Sequence, residues 1–86
     1  MAFVVDAAIP AAEVEAEIRL AGGFLLKDVE LFDVYEGDQI GAGKKSLAYH
    51  LTFLAPNKTL TDKAVKKQRT RIVKTLENKL GAKLRD

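Results

Sequence analysis

Two stretches of alternating residues, joined by a short loop that contains glycine, place the strongest constraint on the fold of this sequence. They cover residues 31–37 and 44–53. Alternation of apolar and polar side chains is typical of β-strands, and two such stretches separated by a loop predict an antiparallel hairpin. The apolar side chains of one face are Phe32, Val34, Leu47, Tyr49, Leu51 and Phe53. We expect this face to pack against the core.

The opposite face of the hairpin carries a different set of side chains. It contains Asp33, Tyr35, Ser46, Ala48, His50 and Thr52. If residues 36–45 form the loop, Tyr35 faces Ser46 across the hairpin. The same register places Asp33 opposite Ala48. An aromatic ring and a carboxylate then lie beside two small residues, which predicts an accessible surface and not a core.

The length and composition favour one small domain without an internal catalytic site. A chain of 86 residues buries only about 60–65% of the surface that it exposes when unfolded. We therefore expect a single domain over residues 1–86, with a two-layer core and no pocket of enzyme size. The sequence has no cysteine and one histidine, which argues against a disulfide framework and a Cys/His metal cluster. We predict no cofactor and no metal site.

Acidic and basic residues are segregated along the chain. Residues 1–43 hold two basic and nine acidic residues, whereas residues 44–86 hold twelve basic and three acidic residues, so the net charges are −7 and +9. This split is compatible with complementary faces within one fold, which we favour, and with a basic surface near nucleic acid.

The sequence shows no sign of a membrane segment. No apolar run approaches the roughly 20 residues of a membrane span. The first residues, Met1, Ala2 and Phe3, lack the charged region of a signal peptide. We therefore expect a soluble domain with no membrane partner. The absence of cysteine is compatible with an intracellular, reducing compartment, the cytoplasm.

The N-terminal part is predicted to form a strand, a helix and a second strand. Residues 2–6 are apolar and β-branched, as in a central strand. Pro10 suits a first helical turn, after which Val14, Ile18 and Ala21 recur at helical spacing. Residues 22–23 are glycines that can end this helix. The second strand is expected over residues 24–35, with a bend or bulge near residues 27–28.

The C-terminal part is predicted to form a second helix and a short closing strand. Thr61 is the expected N-cap of this helix, and Leu60 can pack on Val65 as a hydrophobic staple. The buried stripe is expected to consist of Val65, Ile72, Leu76 and Leu80, with the stem of Arg69. Gly81 ends the helix, and residues 82–85 form the last strand.

The predicted order of elements is therefore βαββαβ. With right-handed crossovers, both helices cover the same face of a four-stranded antiparallel sheet, and the strand order is 4-1-3-2. This is a ferredoxin-like α+β fold. The sheet face without helices is expected to carry Asp33, Tyr35, Ser46 and His50.

An open sheet of this topology is a common platform for single-stranded RNA, whose splayed bases stack on exposed aromatic side chains. Tyr35 could stack on one base. Asp33 could select guanine, because a carboxylate offers two acceptors to the two adjacent donors on the Watson–Crick edge of guanine. Taken alone, Tyr35 also fits a half-buried sheet residue, and Asp33 fits a solubilising charge. His50 fits a surface residue better than a catalyst, because no second histidine or serine with an acid accompanies it.

The glycine-bearing loop over residues 37–46 invites comparison with a phosphate-binding loop. The spacing does not fit, because Asp38 lies five residues before Gly43 and a second lysine follows Lys44. A strand is also predicted after the loop, where a phosphate-binding loop needs a helix. We predict a flexible hairpin loop instead.

Four segments of the sequence together resemble a known family. They are VELFDVYEG, GKKSLAYHLTF, TLTD and LGAKLR. Their order and spacing are similar to those of the ferredoxin-fold anticodon-binding domain at the C-terminus of the bacterial phenylalanyl-tRNA synthetase β subunit. The resemblance covers nearly the whole chain. It implies a non-catalytic domain that binds the anticodon stem-loop of phenylalanine tRNA, with the rest of the β subunit and the α subunit as further partners.

The resemblance also implies the residues of the RNA site. The positions matching Asp33, Tyr35 and Ser46 contact the first anticodon base, guanine, and Ala2 of the first strand belongs to the same surface. The joining of phenylalanine to its tRNA, with ATP and magnesium, would take place on other domains and on the α subunit. Family members carry a charged pair before the first strand, so we expect the sequence to be a piece of a longer chain.

Two other classes of function have to be separated from this one. A regulatory or protein-interaction domain of the same topology would bind a small ligand or a partner chain through the sheet, and a sheet face without exposed Tyr35 or Asp33 would favour it. An acylphosphatase-like enzyme needs a phosphate-binding arginine loop after the first strand, and residues 7–10 contain no arginine.

Overall fold

A computed structural model describes residues 1–54 and 61–85 of the chain, and this part contains four strands and two helices in the predicted order. The strands are β1 (Ala2–Asp6), β2 (Leu26–Tyr35), β3 (Lys44–Phe53) and β4 (Lys83–Leu84), and the helices are α1 (Ala11–Gly22) and α2 (Asp62–Leu80). The strands form one antiparallel sheet in the order β2-β3-β1-β4, which is the predicted order 4-1-3-2 counted from the other edge. The predicted ferredoxin-like α+β fold is confirmed.

The apolar core lies between the two helices and one face of the sheet. The helices contribute the buried residues Val14, Ile18 and Ala21 of α1 and Ile72 and Leu76 of α2. The sheet contributes Phe3 and Val5 of β1, Val29 of β2, and Leu47 and Tyr49 of β3. Alternate residues of the same strands point to the other face, which no helix packs against in the described part of the chain. This second face is the open face of the sheet.

The buried stripe of α2 is narrower than the sequence predicts. Ile72 and Leu76 are fully buried, but Val65 and Leu80 are only partly buried. Arg69 is exposed, so its inclusion in the buried stripe is wrong. The contact between helix and sheet is therefore concentrated on the middle turns of α2.

The helix ends follow the capping residues of the sequence. The hydroxyl of Thr61 accepts a hydrogen bond of 3.1 Å from the backbone N–H of Ala64, as expected of an N-cap. Gly81, with a φ of 64°, ends α2 in the left-handed conformation that favours glycine. α1 begins directly after Pro10. The predicted staple between Leu60 and Val65 involves a residue outside the described part.

The second strand begins later than predicted. Gly23–Leu25 form a 3₁₀ turn after α1, so that β2 starts at Leu26 and not at Phe24. The ring of Phe24 is 74% exposed. The turn is needed because the chain must reverse from the helix layer to the sheet layer within a few residues.

The register of the β2–β3 hairpin is the predicted one. Tyr35 pairs with Ser46, and Asp33 pairs with Ala48. The loop leads from a 3₁₀ turn at Asp38–Ile40 directly into β3 at Lys44. Since no helix follows the loop, the phosphate-binding alternative is excluded, as the spacing predicted.

The edge strand β2 contains two irregularities, and the second changes the predicted face of Phe32. The register shifts once between Leu26 and Asp28, where a bulge was expected, and again between Leu31 and Asp33. At the second shift Phe32 is an extra residue in β2, and a bulge of this kind redirects a side chain. Phe32 is 51% exposed, and its ring stacks on that of His50, on the open face. The prediction that Phe32 packs into the core is therefore wrong.

Val34 also departs from the prediction. It pairs with Leu47 on the helix side of the sheet, as the alternation indicates, but it is 54% exposed. Because β2 is an edge strand, its last residues extend past the part of the sheet that the helices cover. The expectation that Val34 joins the core is wrong.

Tyr49 is the buried polar residue whose ionisation should limit stability at high pH. Its hydroxyl donates a 3.0 Å hydrogen bond to the carbonyl oxygen of Ala11. Burial, with a smaller contribution from the negative charge of Glu15, raises the pKa of Tyr49 from 10.0 to about 12. Between these two values the unfolded chain releases the phenolic proton while the folded chain keeps it.

We therefore expect the free energy of unfolding to fall as the pH rises through this range, by up to about 1.4 kcal/mol per pH unit from this one group. Urea denaturation at a series of pH values, for the wild-type chain and for Tyr49→Phe, would measure the effect. The variant lacks the phenol and should lose this part of the pH dependence. Parallel curves for the two proteins would show that Tyr49 titrates like an exposed tyrosine.

Candidate nucleic-acid interface

The four site residues predicted from the sequence lie on two neighbouring rows of the open face. In the first row Tyr35 of β2 pairs with Ser46 of β3, which pairs with Val4 of β1. In the second row Asp33 pairs with Ala48, which pairs with Ala2. The antiparallel sheet therefore brings together Ala2, Asp33, Tyr35 and Ser46, although the sequence separates the first and last by more than forty positions.

The centre of this surface is made of small side chains. Ala2 and Ala48 lie side by side on adjacent strands, and Ser46 lies next to them on β3. Ser46 is only 4% exposed, whereas Asp33 is exposed and Tyr35 is 37% exposed. The result is a low floor in the middle of the sheet, with an aromatic ring and a carboxylate standing along its β2 edge.

Arg85 reaches this floor from the opposite edge of the sheet. Its backbone N–H donates a 2.8 Å hydrogen bond to the carbonyl oxygen of Ala2, which extends the second row beyond β4. Its guanidinium carbon lies 5.3 Å from the centroid of the Tyr35 ring, within the range of a cation–π contact. Three of the residues between the two edges, Ala2, Ala48 and Ser46, are small, which leaves room for this long side chain to cross the sheet.

The sequence analysis did not identify Arg85 as a site residue. The segment from Ala82 to Arg85 alternates between apolar and basic residues, and Ala82 is buried in the core. Alternation alone therefore places Lys83 and Arg85 on the open face. The contact with Tyr35 could not be predicted from the sequence, since it crosses the whole width of the sheet.

The loop after β2 constrains the other end of the Tyr35 side chain. A Cβ atom added at Gly37 would lie 2.7 Å from the hydroxyl oxygen of Tyr35 and 3.0 Å from its Cζ atom. Such distances are shorter than van der Waals contact, so the phenol end of Tyr35 lies directly against the backbone at Gly37. Glycine at this position allows the ring to remain over the edge of the floor.

A second aromatic group lies on the open face, on the far side of Asp33 from Tyr35. The rings of Phe32 and His50 are stacked, with their centroids 3.9 Å apart and an angle of 18° between their planes. Both side chains are exposed, and His50 pairs with Glu30 across the hairpin. The prediction that His50 is a cross-strand surface residue agrees with this position, but its partner Phe32 was missed because strict alternation assigns Phe32 to the core.

The chain matches one family model, described as the ferredoxin-fold anticodon binding domain, over residues 1–85. The chain belongs to this family. It is 53% identical over 85 residues to the phenylalanine–tRNA ligase β subunit of Clostridium tetani, and the match covers 99% of the chain and 11% of that protein. The corresponding subunits of Moorella thermoacetica and Thermobifida fusca are 52% and 49% identical, each over 99% of the chain.

The resemblance inferred from the sequence is thereby confirmed, and the chain is a non-catalytic anticodon-binding domain by family. It spans about a tenth of the length of the curated relatives that it matches. The names of those relatives describe a tRNA ligase activity, which belongs to proteins much longer than this chain.

Charge is distributed unevenly across the open face of this anticodon-binding domain. The exposed acidic residues on the open side of β2 are Asp28, Glu30 and Asp33. Exposed basic residues, Lys83 and Arg85, follow the β4 edge. The charge therefore changes from negative to positive across the width of the sheet, with the small residues in between.

One cavity in the described part of the domain lies away from this surface. It has a volume of about 380 Å³ and is lined by α2 residues between Lys66 and Glu77, together with Met1 and Leu84. None of the four predicted site residues lines it. The candidate interface is therefore a flat sheet surface, as stacking on a splayed base requires, and not a pocket.

Within residues 1–54 and 61–85, no group of three or more acidic or histidine side chains is arranged to hold a metal ion. The helices of this part are too short or too polar to span a membrane.

Proposed function

We propose that residues 1–86 act as the anticodon-binding domain of a phenylalanine–tRNA ligase β subunit, and that the open face recognises the first anticodon base, guanine. The observation that carries the proposal is the arrangement of Asp33 and Tyr35 on adjacent rows beside a floor of small residues. Family membership supplies the class of ligand, an anticodon. The geometry supplies the means of recognising one base.

Stacking on Tyr35 is the first part of the mechanism. The ring is 37% exposed, and in the free chain the guanidinium of Arg85 lies over it. A base that stacks on the ring takes the place of this cation. The displaced guanidinium remains tethered at the edge of the floor, where it can meet a phosphate of the same nucleotide. A base stacked on an aromatic side chain contributes about 1–3 kcal/mol to binding.

Hydrogen bonding to Asp33 is the second part. Guanine carries two adjacent donors on its Watson–Crick edge, and the carboxylate of Asp33 can accept both. Adenine has no such pair of donors, and its ring nitrogen would face a carboxylate oxygen, acceptor against acceptor. An acidic residue also repels phosphates, so its place on an RNA-binding surface favours contact with a base edge over contact with the backbone.

The small residues complete the site. Ala2 and Ala48 leave room for a planar base to lie close to the sheet. Ser46 lies directly across from Tyr35. Its hydroxyl can both donate and accept a hydrogen bond. These residues therefore shape the site, whereas Tyr35 and Asp33 supply the main interactions with the base.

The charge gradient fixes how the RNA lies on the domain. Phosphates are attracted to Lys83 and Arg85 at the β4 edge and repelled by the acidic residues at the β2 edge. The bases then point toward β2, where Tyr35 and Asp33 lie. A regulatory domain that binds through its sheet was expected to lack exposed Tyr35 or Asp33, and both are exposed here.

The partners follow from the proposed parent protein. The domain would work in the cytoplasm, attached to the rest of the β subunit and associated with the α subunit, while phenylalanine, ATP and magnesium are bound by other parts of the ligase. Most of the affinity for tRNA would come from those other contacts. The domain adds specificity at the anticodon.

The proposal predicts weak but guanine-dependent binding by the isolated chain. A net charge of +2 and few stacked bases neutralise little phosphate, so we expect a dissociation constant of roughly 10⁻⁵–10⁻³ M. Titration at fixed salt with two phenylalanine anticodon stem-loops, which differ only in guanine or adenine at the first anticodon position, would measure it. Binding at nanomolar concentration, or equal binding of the two RNAs, would contradict the proposal.

A further inference from the structure

The stacked pair formed by Phe32 and His50 is the one exposed aromatic group on the described open face that recognition of a single base leaves unused. Phe32 is 51% exposed, and the two rings lie 3.9 Å apart and nearly parallel. His50 covers one face of the Phe32 ring, and about half of the Phe32 surface remains exposed. A phenylalanine that remains half exposed beside an RNA-binding residue needs an explanation, because burial of an aromatic side chain is strongly favourable.

The position of Phe32 depends on the bulge in β2. Without the register shift between Leu31 and Asp33, alternation would turn Phe32 toward the helices. The bulge places Phe32 and its neighbour Asp33 on the same face. Bulges frequently re-aim a side chain next to a functional site, and here the re-aimed side chain is an aromatic ring adjacent to the proposed guanine-recognising carboxylate.

The spacing between the two aromatic groups suits two bases of one RNA strand. Phe32 and Tyr35 are three residues apart on β2, and because the bulge shortens this stretch, they lie less than about 10 Å apart along the strand. Asp33 lies between them. Open sheets that bind single-stranded RNA stack two or three bases on aromatic side chains of neighbouring positions.

The charges around the pair exclude a phosphate ligand. Glu30 pairs with His50, and Asp33 follows Phe32 in the chain. Both acids are exposed and would repel an RNA backbone. The flat face of a base is uncharged. A base can therefore stack on Phe32 while the phosphate of its nucleotide stays away from both carboxylates.

We propose that Phe32, backed by His50, is a stacking platform for a second unpaired base, adjacent to the base that Asp33 and Tyr35 bind. This inference rests on the proposed function of the open face. The platform accepts any of the four bases, since each has a face to stack on and the pair offers no fixed set of donors and acceptors. It therefore adds affinity and fixes the path of the strand, whereas Asp33 supplies the base preference.

The test uses the 86-residue chain and anticodon stem-loops in which single loop nucleotides are made abasic. Phe32→Ala and Phe32→Leu should each weaken binding of the intact stem-loop about tenfold, whereas Phe32→Tyr, which keeps an aromatic ring, should stay within about twofold of wild type. Phe24→Ala is the matched control, because Phe24 is also exposed but lies on the 3₁₀ turn at Gly23–Leu25. Thermal melts should show that all four variants are folded.

The abasic RNAs identify the nucleotide that stacks on Phe32. In one of these RNAs the missing base is the one next to the first anticodon position. Wild type and Phe32→Ala should bind this RNA with equal affinity, because the base that Phe32 contacts is absent. The preference for guanine over adenine at the first position should be the same in Phe32→Ala as in wild type.

Each other result overturns the inference in a recognisable way. If Phe32→Leu binds the RNA like wild type, the ring merely supports the structure of β2. The same holds if Phe32→Ala loses affinity, relative to wild type, by the same factor for every abasic RNA. If wild type prefers guanine and Phe32→Ala binds the intact RNA unchanged, this inference fails and the proposed function stands. If wild type shows no guanine preference, the proposed function fails, and the inference that rests on it fails too.

Discussion

Replacing Leu76 by alanine is expected to lower the free energy of unfolding by about 2–5 kcal/mol. Leu76 is fully buried on α2, in the core that separates the helices from the sheet. The smaller side chain leaves a cavity that the closely packed surroundings fill only in part. For a domain of this size the loss is a large fraction of the total stability. Urea denaturation of the 86-residue chain, analysed as a two-state transition, would measure it.

Lys74 on the same helix provides the control. It is exposed, so Lys74→Ala should change the free energy of unfolding by less than about 0.5 kcal/mol. Both substitutions have similar effects on helix propensity, and the difference between them therefore reports burial. Similar losses for the two variants would mean that α2 packs through another face than the one described.

The sequence was sufficient to predict those parts of the fold that depend on local chemistry. Thr61 and Gly81 mark the ends of α2 because a hydroxyl can cap the first turn and glycine can adopt a positive φ at the last. The register of the hairpin was also predictable. A shift by one residue would have moved the apolar side chains Leu47 and Tyr49 to the open face, so the pairing of Tyr35 with Ser46 is strongly specified.

Two kinds of feature could not be predicted from the sequence. One is a residue that breaks the alternation of apolar and polar side chains along a strand, and the other is a contact that a long side chain makes across the sheet. Phe32 is exposed because of a bulge, and the alternation of β2 contains no signal that locates it. Arg85 contacts Tyr35 across two intervening strands, and such a contact depends on side-chain reach and on the small size of Ala48 and Ser46. Both exceptions add groups to the candidate interface beyond the four predicted residues.

The segregation of charge along the sequence is partly explained by contacts between the two halves of the fold. The carboxylate of Glu17 on α1 forms an ion pair with the ammonium group of Lys79 on α2, at a distance of 3.2 Å. This pair joins the acidic half of the chain to the basic half, as expected for complementary faces. Acidic and basic residues are also separated on the open face, at opposite edges of the sheet. The edge strand β2 belongs to the acidic half of the chain, and the edge strand β4 belongs to the basic half.

The substitution with the largest expected effect on recognition is Asp33→Ala, which should reduce the discrimination between guanine and adenine by about 1–3 kcal/mol, as for other bidentate contacts with a base. Asp33 is exposed and takes no part in the core, so the stability of the domain should remain nearly unchanged. Tyr35→Ala, by contrast, should weaken the binding of both RNAs alike, because every base has a face to stack on.

A third RNA makes the test of Asp33 more specific. Inosine keeps the ring N–H of guanine but lacks its exocyclic amino group, so the carboxylate of Asp33 can accept only one of the two hydrogen bonds. The wild-type chain should therefore bind stem-loops with guanine, inosine and adenine at the first anticodon position in this order. Asp33→Ala should bind the three RNAs with similar affinity, and Asp33→Asn, which replaces one acceptor by a donor, should also lose the preference for guanine.

Asp28→Ala controls for the removal of negative charge. Asp28 is an exposed aspartate on the same strand, paired with Thr52 and outside the two rows of the candidate interface. Its loss should strengthen the binding of all three RNAs slightly, by weakening the repulsion of phosphates, and should leave their order unchanged. If Asp33→Ala behaves in the same way as Asp28→Ala, the carboxylate of Asp33 is a general surface charge, and recognition of guanine must come from another group on the open face.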